Sequence, residues 1–221
     1  MKQKILLLAA GSMVLAMAAT LAAESGTNAV RASCCVRAER AAGPLTDKSL
    51  YQLDSTWTND NGLPVKLSAL SGRPQLVCMF FAHCQYACPL LVHQMKQIEA
   101  ALPENVRTNV GFVLVSFDTE RDTPEALHQY RLQHELASGR WTLLHGSNDD
   151  VLELAALLGV KFKKDAQGQF MHSNVLTLLN SQGEIAFQET GLNPSTERMV
   201  EKFAERSLWG PALSRPQSAQ P

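Results

Sequence analysis

Residues 75–89 read QLVCMFFAHCQYACP, and this stretch decides the fold. Its first part, residues 75–81, is a continuous apolar run of the kind that forms a central strand buried on both faces. Pro89 then suits the first turn of a helix, where the missing N–H of proline costs nothing. Cys84 and Cys88 stand four residues apart between these two elements. The sequence therefore predicts a pair of cysteines where a buried strand passes into a helix.

The chemistry of this cysteine pair follows from its place at the start of a helix. The helix dipole and the free N–H groups of the first turn favour an anion, so a thiolate is stabilised there. Such a pair can carry out redox chemistry or hold a soft metal ion such as Cu(I). An inert disulfide is the structural alternative. Helical spacing leaves the Cβ atoms about 5–6 Å apart, and an irregular first turn can bring them to the roughly 4 Å that a disulfide needs.

Strands and helices alternate on either side of this stretch. The Asn61-Gly62 pair predicts the tight turn of a hairpin, and Thr123 with Pro124 predicts a capped helix start. The predicted order begins with a hairpin at 56–67. Three strand–helix pairs follow, at 75–81 and 89–101, at 110–117 and 124–137, and at 141–145 and 148–158. An extended stretch at 160–164, a hairpin at 175–189 and a helix at 195–207 complete the domain. This order predicts an α/β fold, thioredoxin-like, with a central mixed β-sheet flanked by helices and an N-terminal hairpin.

The composition is that of an ordinary globular protein, with 45% hydrophobic residues and a formal net charge of −1 in 221 residues. This length suits one domain of about 150 residues with flanking segments. The charge balance gives no sign of nucleic-acid binding.

The N-terminus has the pattern of an export signal. Lys2 and Lys4 precede residues 5–23, which carry no charge and end in small residues. We predict a signal peptide at 1–23, with an uncleaved membrane anchor as the alternative. Residues 24–48 are predicted to be a flexible tether, 49–208 the folded domain and 209–221 a disordered tail. In either case the domain is exported, to the periplasm or the outer face of the cytoplasmic membrane.

Five cysteines are an odd number for an oxidising compartment, so at least one thiol is free, metal-bound or paired between chains. Cys34 and Cys35 lie in the predicted tether, where adjacent cysteines bridge each other only with strain. Two alternatives stay open for this pair: a role in disulfide exchange or in bonding between chains, and no role at all. Cys78 falls within the apolar strand and is expected to be a buried, inert thiol.

His172 follows a polar loop with a glycine and precedes an apolar strand. A loop histidine without a role is the common case. If the last hairpin lies beside the strand that leads to Cys84, however, the imidazole can join the two thiols as a third donor. A set of two cysteines and one histidine suits Cu(I) and can also hold Cu(II) or Zn(II). Met79 and Met171 are further candidates for a soft ligand, although methionine more often fills a core.

A charged turn follows the strand predicted at 110–117. Asp118, Arg121 and Asp122 lie at the carboxyl end of this strand, which is the edge where α/β sheets bind ligands. A local salt-bridged turn that starts the next helix is the alternative, and we favour it. His83 adjoins Cys84 and is a candidate to modulate the thiols.

Three motifs of this sequence together resemble the Sco/SenC family. They are residues 81–89 (FAHCQYACP), 116–124 (SFDTERDTP) and 171–173 (MHS), in this order and spacing. The resemblance covers about residues 49–206. It implies a thioredoxin-like domain that binds copper, as Cu(I) or Cu(II), through Cys84, Cys88 and His172. It also implies a part in assembling the CuA centre of cytochrome c oxidase, as a copper donor, as a thiol reductant of that site, or as both.

The sequence departs from the family pattern at two positions. Met171 stands where better-known members often have aspartate, and Gln85 stands where they often have proline after the first cysteine. Neither change removes a ligand, but both are expected to shift the redox potential or the copper affinity.

The leading hypothesis is an exported assembly factor, a metallochaperone rather than an enzyme. Its expected partners are a copper-receiving membrane or periplasmic enzyme, such as an oxidase subunit, and a thiol reductant. The chain is expected to be a monomer and to bind no nucleic acid. The alternative is a periplasmic thiol–disulfide oxidoreductase without a metal role, in which Cys84 and Cys88 are the redox dithiol. A third hypothesis is a copper or redox sensor that binds a partner only when loaded.

Overall fold

The computed structural model describes residues 45–210. The predicted signal peptide at 1–23, the predicted tether up to residue 44 with Cys34 and Cys35, and the predicted tail from residue 211 lie outside the described residues. In the described range, no helix combines the length and the apolar character that crossing a bilayer requires.

The strands and helices alternate along the chain in the predicted order. The strands are β1 (Trp57–Asn59), β2 (Pro64–Val65), β3 (Gln75–Phe80), β4 (Gly111–Ser116), β5 (Trp141–His145), β6 (Phe162–Lys164), β7 (Phe170–His172), β8 (Val175–Leu179) and β9 (Ile185–Thr190). The helices are α1 (Ala87–Ala101), α2 (Glu104–Arg107), α3 (Pro124–Gln133), α4 (Asn148–Leu157) and α5 (Thr196–Phe203). Short 3-10 helices cover Leu50–Gln52, Leu67–Leu70 and Arg206–Leu208.

Seven of the strands in residues 45–210 form one mixed sheet, in the order β2-β1-β5-β4-β3-β8-β9. The central strands β3, β4 and β5 are parallel to one another, whereas β1 and β8 join them antiparallel. Every residue of β3 and β4 is buried, because helices cover both faces of a parallel sheet and its strands are therefore apolar throughout. The predicted α/β fold with a central mixed sheet and an N-terminal hairpin is confirmed.

The pairing of β8 with β3 brings two distant parts of the chain together. These strands are antiparallel, with Cys78 opposite Leu176, so β8 begins at the edge of the sheet where β3 ends. The residues just before β8, including His172, therefore meet the loop that follows β3. This is the arrangement on which the histidine hypothesis depended.

Two elements, β7 and α2, are absent from the prediction. β7 has three residues, too few for a periodic pattern, and it forms because it pairs with β6 across a turn in which Gly168 has φ +76°. Together they make a second, two-stranded sheet. His172 thus lies at the end of a strand rather than in a loop.

The ends of three predicted segments also differ from the prediction. α5 stops at Phe203 instead of near residue 207, and a separate 3-10 helix follows at Arg206–Leu208. α3 stops at Gln133 instead of near residue 137, because Glu135 takes a left-handed φ of 53° and the Leu136 N–H bonds back to the Arg131 carbonyl. At the C-terminal end of the domain, Trp209 is buried and its Nε1 donates to the Phe203 carbonyl at 3.0 Å. The packed region thus includes the first residue of the segment expected to be a tail.

A buried ion pair fastens the N-terminal hairpin to α3. The Arg131 guanidinium donates to both carboxylate oxygens of Asp60, with the Nη2–Oδ1 distance at 2.7 Å. Its remaining hydrogens reach the Leu136 carbonyl at 3.1 Å and the Trp141 carbonyl at 3.0 Å. Because the side chains of Asp60 and Arg131 are only 2% and 8% exposed, each charge depends on the other for its stabilisation.

Candidate metal centre

Cys84 and Cys88 lie on either side of the start of α1, as the sequence predicts. Both are free thiols in the structure, and Cys88, in the first turn of α1, is fully buried. The N-cap residue Tyr86 offers no side-chain acceptor to the first turn. The backbone N–H of Cys88 instead points at the sulfur of Cys84, with N and Sγ 3.3 Å apart. The sulfur of Cys84 therefore takes the place of a helix cap, a position that favours the thiolate.

His172 at the end of β7 completes a cluster of three donors. Its Nε2 lies 3.6 Å from the Cys88 sulfur, and the donor atoms of Cys84, Cys88 and His172 all lie within 4.8 Å of one another. The other ring nitrogen, Nδ1, is 3.3 Å from the Ser173 carbonyl oxygen. A proton on Nδ1 would be donated to that carbonyl, which leaves the Nε2 lone pair for the site.

An aromatic cluster surrounds the histidine ring. Phe117 stacks on Phe162, with ring centroids 5.0 Å apart, and its centroid lies 5.2 Å from that of His172. Phe170 packs on both Phe81 and Phe117. Sequence reasoning missed this cluster. The sequence feature that could have indicated it is the spacing of Phe170 and His172. They are two residues apart, which places both side chains on one face of a strand.

The two thiols differ in acidity. The pKa of Cys84 lies well below that of a free thiol, mainly because its thiolate accepts a hydrogen bond from the Cys88 thiol and further ones from the backbone N–H groups of Tyr86 and Cys88. The pKa of Cys88 is raised, because its thiol donates that hydrogen bond and because it is buried. In the reduced, metal-free site these opposite shifts favour the thiolate at Cys84 over the thiolate at Cys88.

We expect selective alkylation of Cys84 in the copper-free, reduced protein. A lowered pKa keeps the thiolate present as the pH falls, so the rate with iodoacetamide should drop less than about threefold between pH 8 and pH 6. An ordinary thiol would lose more than about 50-fold over this range. Peptide mass spectrometry at each pH, with Cys84→Ser as the control, measures the rate at each cysteine. A normal thiol profile at Cys84, or faster labelling of Cys88, would contradict the assignment.

An open cleft of about 440 Å³ gives access to the donors. Cys84 and His172 line it together with residues that are all uncharged, namely Phe81, Gln85, Tyr86, Ala87, Gln169, Phe170 and Met171. Tyr86 and Met171 are 72% and 67% exposed at its rim. Met79, the other methionine considered as a ligand, is buried in the core.

Asp122, in the charged turn after β4, holds the cysteine loop in place. It is fully buried, and its Oδ2 accepts hydrogen bonds from the Ala82 N–H at 2.7 Å and the Ser116 hydroxyl at 2.5 Å. Its Oδ1 lies 3.2 Å from Nδ1 of His83, whose side chain is exposed. His83 thus contacts the turn that supports the site and is absent from the donor cluster of Cys84.

The rest of the turn forms the local ion pair that we favoured from the sequence. Nε of Arg121 donates to Oδ2 of the buried Asp118. The same guanidinium also reaches the carbonyl of Gly168, 47 residues further along the chain, which the sequence does not indicate. His83, Asp118 and Asp122 have oxygen or nitrogen atoms close enough to hold an ion, but both carboxylates already have protein partners.

Cys78 matches the prediction of a buried thiol. It lies in β3 and is 1% exposed, and burial raises its pKa to about 12. It therefore offers neither a thiolate nor access to solvent.

Comparison with known proteins gives related sequences and structures. A family model described as SCO1/SenC matches residues 44–207. The SCO1 protein homolog of Bacillus subtilis (strain 168) is 26% identical over 153 residues, 67% of this chain and 78% of the relative. The copper-bound structure of Bradyrhizobium japonicum ScoI has a TM-score of 0.57 at 22% identity, covering 67% of this chain and 94% of that one.

A further solved structure is that of BsSco, described as a member of the Sco family of cytochrome c oxidase assembly proteins with a disulfide switch. It has a TM-score of 0.58 at 22% identity, covering 67% of this chain and 88% of that one. At such identities the likeness shows the fold, and it confirms the predicted thioredoxin-like arrangement.

Proposed function

Because this chain belongs to the SCO1/SenC family, we propose that it is a copper-binding assembly factor in which Cys84, Cys88 and His172 hold the metal. One observation carries this proposal. Two segments 84 residues apart in the chain bring two sulfurs and an imidazole nitrogen within 4.8 Å of one another. The copper-bound state of the ScoI structure supports copper as the cargo.

The chemistry of the donors fits this cargo. Thiolates select Cu(I), and an imidazole also suits Cu(II). Because the pKa of Cys84 is lowered and that of Cys88 is raised, we expect Cys88 to give up a proton when the metal binds, so binding is accompanied by proton release. Zn(II) is a competing ion for the same donors.

The cleft is suited to transfer of the metal to another protein. Cys84 and His172 face it, so donor atoms of a partner can approach the copper and replace the ligands one at a time. We propose that the partner is an oxidase subunit such as the one that holds CuA, in keeping with the description of BsSco as an oxidase assembly protein. A thiol reductant would keep both cysteines reduced.

We further propose the location and organisation that the sequence predicts. The charge-free run after Lys4 would export the chain or anchor it, placing the domain in the periplasm or at the outer face of the cytoplasmic membrane. The domain at 49–208 would act as a monomer at the end of the tether.

Replacing the histidine tests the ligand set. We expect His172→Ala to weaken Cu(I) binding about 100-fold, which corresponds to about 2.7 kcal/mol, because one of three donors is lost while the dithiol remains. The matched control is His93→Ala, since His93 is exposed on α1 and should leave the affinity unchanged. Competition against a chromophoric Cu(I) chelator measures the Cu(I) affinity of each variant. Equal affinities for wild type and His172→Ala would remove His172 from the site.

A second candidate function is supported by the unequal thiols. The Cys84 thiolate can attack a disulfide of a partner to give a mixed disulfide and release one partner thiolate. Cys88 then attacks the Cys84 sulfur, which releases the second partner thiol and leaves a Cys84–Cys88 disulfide. Disulfide reduction by copper-free protein that is unaffected by His172→Ala, with a mixed disulfide trapped by Cys88→Ser, would favour this function over copper handling.

A further inference from the structure

Both halves of the proposed copper site are attached to the same short turn between β4 and α3. From this we infer that Arg121 is a positioning residue, which acts through the β6–β7 hairpin to hold His172 against the two thiols. The inference rests on the proposed function, since it concerns the geometry of the same donors.

The hairpin that carries His172 needs such an attachment. β6 and β7 pair only with each other among the described strands and stand apart from the seven-stranded sheet. The base of the hairpin is joined to α4 through residues 158–161 and to β8 through residues 173 and 174, and Phe162 and Phe170 pack there on Phe117. The other end is the tip, whose turn contains Gly168 with φ +76°. Packing between aromatic rings is weakly directional, so a polar attachment at the tip adds a defined orientation of the hairpin, and with it of His172 relative to Cys88.

Arg121 holds the tip. Its Nη2 donates to the Gly168 carbonyl while its Nε donates to Asp118. Asp118 is 1% exposed, and its backbone N–H is held by the Ser116 hydroxyl at 3.0 Å, so this carboxylate is a fixed anchor. A guanidinium is planar and presents its donors in set directions. Arg121 therefore fixes the tip of the hairpin relative to the buried carboxyl end of β4.

The guanidinium of Arg121 lies close to the backbone of Gly168 at the tip of the hairpin. A Cβ added to Gly168 would lie 3.5 Å from Nη1 of Arg121, so the guanidinium packs directly against the turn. A second contact, the ion pair of Lys164 with Glu120, lies at the surface with Glu120 75% exposed. Exposed pairs of this kind contribute little, so Arg121 provides the main polar link between the turn and the hairpin.

The next residue in the chain holds the other half of the site. Asp122 accepts the Ala82 N–H at 2.7 Å, two residues before Cys84. Adjacent residues of one turn thus fix the cysteine loop and the histidine hairpin relative to each other. Placing both attachments on neighbouring residues leaves little freedom in the distance between the thiols and the imidazole.

The test is a double-mutant cycle on Cu(I) affinity, using the full chain with Cys34 and Cys35 replaced by serine. We expect Arg121→Met to weaken binding about tenfold in the presence of His172, as substitution of residues that orient ligands does. In the His172→Ala background the same change should alter the affinity less than about twofold, because there is no histidine left to position. Arg140→Met is the matched control, since Arg140 also pairs with a largely buried carboxylate, Glu99, but on the α1–β5 side of the domain.

A second readout needs no copper. The ring of His172 lies near Phe81 and Phe117, with centroids 6.1 and 5.2 Å apart, so ring currents should displace its proton NMR signals. In folded Arg121→Met these signals should move toward those of an unstructured histidine. Arg121→Lys should behave in the same way, because a single ammonium does not reproduce the two-directional contact.

The outcomes separate the inference from the proposed function. Wild-type affinity and unmoved His172 signals in Arg121→Met would overturn the inference, as would an equal loss of affinity in both backgrounds. If His172→Ala itself binds copper like wild type, the proposed ligand set fails, and the NMR signals still decide whether Arg121 positions the ring. Arg121→Lys supplies both readouts if Arg121→Met does not fold.

Discussion

Cys88→Ser is expected to lower the Cu(I) affinity of the reduced protein by at least about a thousandfold, or about 4 kcal/mol. Cys88 is fully buried beside His172, so its sulfur is a fixed donor, and a serine hydroxyl is a poor ligand for a soft ion. Cys84→Ser should give a loss of the same order. Replacing cysteine by serine is nearly isosteric in both variants, so the fold should persist.

The control for this prediction is Cys78→Ala. This variant also removes one buried thiol, but Cys78 lies outside the donor cluster. Its copper affinity should match that of the wild type in the same chelator competition, whatever its stability. Tight copper binding retained by Cys88→Ser, or lost by Cys78→Ala, would contradict the assigned donor set.

The second large effect concerns stability. Asp60→Ala should destabilise the domain by about 3–5 kcal/mol, since it leaves the Arg131 guanidinium charged and unpaired in the interior. For a domain of this size the midpoint of thermal unfolding should fall by about 10 °C. Circular dichroism during heating measures the change.

Asp54→Ala is the matched control. Asp54 also pairs with a cation, Lys66, but the Asp54 side chain is 99% exposed, and exposed pairs contribute little. Its unfolding midpoint should not change measurably. An Asp60→Ala protein that melts at the wild-type temperature would show that the buried pair does not hold the hairpin to α3.

Local signals predicted most of the fold. The apolar runs that became β3 and β4 are buried along their whole length, and Thr123 caps α3 with its hydroxyl as predicted. These features depend on neighbouring residues alone. β7 was not predicted because three residues are too few to show a periodic pattern. The early end of α3 depends on the left-handed backbone conformation of Glu135, which glutamate rarely adopts and which its residue type therefore does not indicate.

The site was predictable in its residue types but not in its geometry. Two cysteines before Pro89 indicate a reactive cysteine pair from local chemistry, but the unequal acidity of the two thiols depends on burial and on their mutual hydrogen bond. The approach of His172 depends on the pairing of β8 with β3, and the contact of Arg121 with Gly168 spans 47 residues. Contacts of this range arise from the packing of the whole domain, and no pattern in a short stretch of sequence encodes them.

The most direct test of the copper assignment is an anaerobic Cu(I) titration of the reduced chain, with Cys34 and Cys35 replaced by serine, against a competing chelator. These replacements ensure that binding reports the folded site alone. We expect one equivalent of tightly bound Cu(I), with affinity lost in Cys88→Ser and weakened in His172→Ala. Binding no tighter than that of a simple dithiol, unchanged by His172→Ala, would rule out the proposed copper site.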